Sequence, residues 1–284
     1  MAYPTIDAPY GLKPINLIGG QVFAGSTREV PIQYGDATSI FYGDFVKVVR
    51  GNATRAAVTT SGTGLGLVGV FLGCSFTNPL TKQKQFVQYW PGGTLAGDAV
   101  AIICDDPDTV FKAAVVSGTT VMASGSYAMI GQNYSMVDGT GSVNTGNSAN
   151  ALLYSATLTT AAFPARVVGM VPETATAISA TGSSSSTTIT LTGTGLPSAI
   201  LAGADVSYIA GGSSPTGQII RTGSFVTTAA AAAATSVTIN VATSSLGGTA
   251  TVIPAGSTIV FTQFPEMLVK INFAVHSYYT ATAV

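Results

Sequence analysis

Turn residues recur along this chain roughly every eight to twelve positions, and the stretches between them are rich in Thr, Val, Ile, Phe and Tyr. That punctuation confines each element to a short strand. No segment carries a sustained 3.6-residue apolar stripe with caps, so little helix is expected. The pattern predicts an all-β fold with a β-sandwich or barrel-like core. Strands are expected at 29–34, 44–50, 68–76, 86–90, 99–104, 109–116, 127–130, 134–137, 151–159, 165–171 and 267–275. Turns are expected at Tyr42-Gly43-Asp44, Arg50-Gly51-Asn52, Pro91-Gly92-Gly93, Ser117-Gly118 and Asp138-Gly139, the last suited to a hairpin with positive φ. A short turn is expected near Pro79–Gln85, and the Gly/Ser/Asn/Thr stretch Gly139–Asn150 reads as a mobile loop.

Charge is the second constraint. Asp, Glu, Lys and Arg make up 8% of the 284 residues, against about 25% in ordinary soluble proteins. The surface must then be built from Thr, Ser, Gly and Ala, which are cheap to desolvate when a partner covers them. Such a chain suits a packed assembly. It carries a single histidine, His276, and few groups for proton transfer, so no enzymatic activity is expected. The net charge of −1 and the two short basic pairs, Lys47/Arg50 and Lys82/Lys84, give no footprint for nucleic acid. Mean hydropathy is +0.45, yet no run approaches the ~18 apolar residues of a membrane span, so no membrane partner is expected. The N-terminal residues lack the basic and apolar regions of a secretory signal, which points to synthesis and folding in cytoplasm. Cys74 and Cys104 are then expected as free thiols.

From Ala175 to Gln263 the composition changes, and the charged residues there are Asp205 and Arg221. The block holds a weak internal repeat. Ser186-Thr187-Thr188-Ile189-Thr190-Leu191 is similar to 235–241, and 200–209 is similar to 253–261. Each unit pairs a Thr/apolar strand with a small-residue turn and another strand, so two units are expected to close into a small sandwich. Apolar strands flank the block at Phe163–Val171 and Phe264–Asn272. The organisation expected is an extended arm over 1–14, a β core over 15–174 plus 263–284, and an inserted, projecting β domain over 175–262.

Several motifs invite chemistry and fail on context. Gly64-Leu65-Gly66-Leu67-Val68-Gly69 matches GxGxxG, but the residues after it are strand-like and position 89 is Tyr89, where the dinucleotide fingerprint needs a helix and an acid. Asp105, Asp106 and Asp108 surround Pro107 without an EF-hand register, so no metal is expected. Asp44 and Asp98 each follow a glycine and read as turn carboxylates accepting local backbone N–H groups. His276 and Ser277 are adjacent and would point to opposite faces of a strand, and no GxSxG elbow is present. No catalytic residue and no cofactor are expected.

The segments Tyr10-Gly11-Leu12-Lys13-Pro14, Gly19-Gly20, Gly43-Asp44-Phe45-Val46, Gly69-Val70-Phe71-Leu72-Gly73-Cys74, Trp90-Pro91-Gly92, Leu268–Asn272 and His276-Ser277-Tyr278 form a distinctive set. Together they resemble the capsid decoration, or cement, proteins of tailed bacteriophages. The likeness covers roughly 8–173 and 264–279 and leaves 175–263 without a counterpart. It implies a virion structural protein on the outer surface of the expanded capsid. Its implied partners are the major capsid protein and further copies of itself, as a homotrimer or a dimer. Residues expected at the capsid or subunit interface are Tyr3, Tyr10, Leu12, Lys13, Pro14, Trp90, His276, Tyr278 and Tyr279, with the N-terminal arm reaching a neighbour. The alternative is a tail- or fibre-associated module that binds a receptor or a carbohydrate. Sugar sites generally use exposed aromatic platforms, and against that option the 175–263 block has only Tyr208, Phe225 and Phe261, with the single tryptophan, Trp90, outside it.

Overall fold

The computed structural model describes residues 6, 8–58, 66–118, 120–155, 161–211, 217–240 and 252–279. Strands β1 (Lys13–Leu17), β2 (Arg28–Pro31), β3 (Phe45–Val49), β4 (Asn52–Arg55) and β5 (Leu67–Thr77) come first. After them run β6 (Lys84–Val87), β7 (Val100–Cys104), β8 (Thr109–Val116), β9 (Asn133–Tyr134), β10 (Met136–Val137), β11 (Ala151–Leu153) and β12 (Ala165–Met170). The later block supplies β13 (Thr176–Ser184), β14 (Thr188–Leu191), β15 (Asp205–Ile209), β16 (Ile219–Phe225), β17 (Ser236–Thr238) and β18 (Ile253–Gln263), and β19 (Glu266–Ile271) is the last strand among the described residues. The fold is all-β, and no described helix is long and apolar enough to cross a membrane.

Three sheets carry these strands. One runs β2-β7-β5-β3-β4, with β6 also on β5. A second runs β10-β11-β8-β19-β12-β9, with β1 on β8. Strand β5 is buried almost throughout because it lies between two apolar clusters. One joins its Val68 and Phe71 to Val30, Trp90 and Ile103, the other joins its Leu67 and Val70 to Phe45 of β3 and to Phe111, Val167 and Val269 of the facing sheet. This explains its near-continuous apolar sequence, which an alternating half-exposed strand would not have. Arg50 (φ 51°) and Gly51 (φ 82°) form the two-residue turn between β3 and β4, both in the left-handed region that such a turn requires.

The third sheet runs β16-β15-β18-β13-β14-β17. Its ends meet: Val226, next after β16, bridges Ile239, next after β17. Asn240 N–H donates to Phe225 O (3.0 Å) and Thr227 N–H to Thr238 O (3.0 Å). The sheet therefore closes on itself as a small barrel, which leaves fewer free edges. Inward residues Ile189, Leu191, Val206, Tyr208, Val237, Ile259 and Phe261 fill it. Closure accounts for the alternation in β14, β15 and β17, where each buried apolar residue sits between more exposed neighbours. The two similar sequence units do not form two faces of a sandwich. Their strands pair within one sheet, Ile189 with Val237 and Val206 with Phe261.

Strands β12 and β19 are paired neighbours although the barrel lies between them in sequence. The barrel strands continue that pairing at once, with Thr176 opposite Gln263. The joint is tight: a Cβ built on Gly203 (φ 88°) would overlap Ser124 O of the core. Ser124 N–H donates to Ala202 O (2.7 Å), and Tyr154 OH to Val226 O (3.1 Å).

Four local expectations change. Residues 127–129 form a 3-10 turn rather than a strand, because Tyr127 N–H is drawn to Asp205 and Ile130 N–H turns back to Tyr127 O. The last strand stops at Ile271, since the Asn272 side chain accepts from Ala274 N–H and starts another 3-10 turn. The 139–150 loop is fastened to the core: Ser148 Oγ donates to Asp44 (2.6 Å), and Gly139 N–H donates to the buried Asn150 side chain (3.2 Å). Gly139 does not make a positive-φ hairpin. Instead Arg55 takes both the Asp138 carboxylate and Gly139 O (2.9 Å).

Candidate functional site

Of the interface residues expected from sequence, Tyr3 lies outside the described residues. Residues 10–14 are built into their own chain and do not form a free arm. Gly11 N–H donates to Asn150 O and Leu12 N–H to Gly43 O (both 3.1 Å), and Lys13 and Pro14 pair with β8. Leu12 is fully buried in the main core. Tyr10 OH donates to the buried Glu266, which also receives Lys112 Nζ at 3.3 Å. Lys13 Nζ stands 4.5 Å from the Tyr10 ring centroid. Burial, reinforced by the Glu266 carboxylate, pushes the Tyr10 hydroxyl well above its ordinary range. This cluster ties the N-terminal segment to the strand that leaves the barrel.

Trp90 and His276 are also fully buried. Trp90 packs edge-on against Phe76 (5.3 Å), and its indole N–H reaches Asp36 O (3.4 Å). It is a core residue, clustered with Phe76 and Ile40. His276 Nδ1 accepts from Tyr278 N–H (3.2 Å), and its backbone bridges Leu67. Burial holds its pKa below the ordinary histidine value. Tyr278 and Tyr279 remain exposed. Tyr278 OH donates to Asp105, whose carboxylate also meets Arg28 Nε (2.8 Å), and Tyr279 packs edge-on against Phe273 (4.6 Å). The C-terminal segment is thus clasped to the core, while two aromatic faces stay open.

The acidic trio is dispersed. Asp105 serves Arg28 and Tyr278, Asp108 serves Lys270 (3.4 Å), and Asp106 accepts Asp108 N–H in a local turn. Among the described residues no group of three metal-ligating side chains converges. Asp44 accepts from Phe41 N–H (2.8 Å) as its turn position implies, and additionally from Arg55 (3.0 Å). Asp98 acts at longer range, accepting from Thr77 N–H (2.9 Å) and Lys84 Nζ (3.0 Å). Those hydrogen bonds and the lysine hold its carboxyl below the ordinary range.

Two surface features escape a reading of the sequence alone. The first is the hairpin joining β5 and β6. Leu80 is 90% exposed at its tip and Phe86 is 77% exposed on its second strand. The tip is preformed, because Asn78 Oδ1 accepts from Leu80 N–H (2.9 Å) and Asn78 O from Lys82 N–H (2.8 Å). The second is a cleft of about 470 Å³ where the barrel meets the core. Its floor is the outer face of β13, β18, β15 and β16, and its wall is Tyr127. Asp205 and Arg221, the two charges of their block, line it together. Asp205 accepts Tyr127 N–H (2.9 Å), and the Arg221 guanidinium lies 4.4 Å from the Tyr127 ring centroid. Burial raises the Asp205 pKa to about 7. Isolation of two opposite charges in an uncharged block is the signal that could have found this cleft. The three aromatics of the block, Tyr208, Phe225 and Phe261, are buried and present no platform.

The chain matches no protein-family model, no curated protein and no solved structure in comparisons with each.

Proposed function

We propose that this chain is a virion structural protein: a capsid decoration protein that binds the outer surface of an expanded phage capsid and joins neighbouring capsid subunits. The observation that carries the reading is a preformed hairpin that presents two exposed apolar side chains, Leu80 and Phe86. Burying Leu80 and Phe86 against a partner releases apolar surface at about 25 cal/mol per Å². Lys82 and Lys84 stand on the same hairpin, Lys84 paired with Asp98 (3.0 Å), so the contact is favourable where their ammonium heads stay at its wet rim. A partner of this kind stabilises the lattice by mass action if it binds the expanded form and not its precursor. The resemblance of the outer segments to cement proteins supports the same reading, including a homotrimer seated among copies of the major capsid protein.

The test is stoichiometry in purified virions. The reading expects the chain in fixed proportion to the major capsid protein. A few copies per particle would favour a tail- or fibre-associated receptor-binding module, and absence from virions would overturn both readings.

A further inference from the structure

We propose that the cleft between barrel and core is a binding site for a neutral saccharide. Its floor comes from outward-facing positions of four contiguous, mutually paired strands: Ala177 on β13, Val260 and Thr262 on β18, Ser207 on β15 and Gly223 on β16. Their main-chain ladders are used within the sheet, so a ligand on this floor is recognised by side chains and not by strand addition. Ala177, Ser207 and Gly223 are small, which leaves the space open. The volume of about 470 Å³ lies in the ~300–1,000 Å³ range of small-molecule sites.

Two polar groups set the chemistry. Asp205 has one oxygen engaged by Tyr127 N–H and keeps acceptor capacity, since a carboxylate offers about four lone-pair sites. Arg221 is held against the Tyr127 ring and near its hydroxyl (3.5 Å), and a guanidinium fork carries about five N–H donors. When both are ionised their charges cancel, so the site gains little from a net cation or a net anion. A net-neutral ligand carrying adjacent donors and acceptors satisfies both. Neighbouring sugar hydroxyls each donate and accept, and the C–H faces of the ring match Ala177, Val260 and Ile219. Aromatic contact comes from Tyr127, supplied by the core, so the site exists only where barrel and core meet.

The experiment uses the full chain. Saturation-transfer NMR is run with glucose, galactose, mannose, N-acetylglucosamine and their disaccharides, beside an array of neutral and acidic glycans and a random peptide library. Ile219→Trp places bulk at the exposed rim, and Arg221→Ala removes the donor; thermal melts confirm that both remain folded. The expected result is saturable binding of at least one neutral saccharide, weakened tenfold or more by each variant. The proposal is overturned if no neutral saccharide binds, if binding survives either variant, or if acidic glycans or peptides alone occupy the cleft. Capsid binding is measured separately, so neither outcome here bears on it.

Discussion

Replacing Asp205 by Asn removes a titration while keeping an oxygen that accepts Tyr127 N–H. Asp205 is raised from its ordinary 3.8 to about 7, chiefly by desolvation, with the Tyr127 hydrogen bond and Arg221 pulling the other way. A folded pKa above the unfolded one means that stability is complete below about pH 4 and is lost as pH rises to about 7. The gap is roughly 3 pH units, and at about 1.36 kcal/mol each it amounts to about 4 kcal/mol as an upper bound. The group is partly solvated, so about 2–4 kcal/mol is the expected range. Urea melts of the native chain and Asp205→Asn at pH 4 and pH 8 isolate this group, because every other titration cancels between the two proteins. The variant should match the native chain at pH 4 and exceed it by that amount at pH 8. Equal stability at both pH values, or a variant weaker at pH 8, would refute the argument that the cleft penalises a charged Asp205.

The same packing sets three further outcomes. Trp90→Ala removes a fully buried side chain and should cost about 3–5 kcal/mol in chemical denaturation; a cost under about 1 kcal/mol would contradict its burial. Replacing 175–262 by a short linker joins β12 to β19, which are already paired. The product should melt cooperatively but earlier, because Tyr154 and Tyr127 lose partners at the joint; an insoluble product would show that the barrel is integral to the core. Leu80→Asp with Phe86→Ser alters two exposed residues, so the melting temperature should hold while affinity for capsid shells falls at least tenfold; unchanged affinity removes the hairpin from the contact.

Local chemistry is legible wherever one strand decides it. The alternation of Thr188-Ile189-Thr190-Leu191 specifies a half-buried strand, and Arg50-Gly51 specifies a tight hairpin. Longer-range facts are not legible in this way. The 127–129 segment has strand-like composition, yet Asp205, 78 positions away, claims its first N–H and turns it. The barrel closes through the bridge of Val226 to Ile239, which no local pattern encodes. The resemblance points to Leu12, Trp90 and His276 as contact residues, but each is fully buried within its own chain. Asp205 and Arg221 are visible as isolated charges, while the cleft that gives them meaning needs Tyr127 from outside their block.

Co-sedimentation of the purified chain with expanded, decoration-free capsid shells, beside unexpanded precursors, tests the capsid reading most directly. The account predicts saturable binding to expanded shells alone, in fixed ratio to the capsid protein. Failure to bind either form would contradict it.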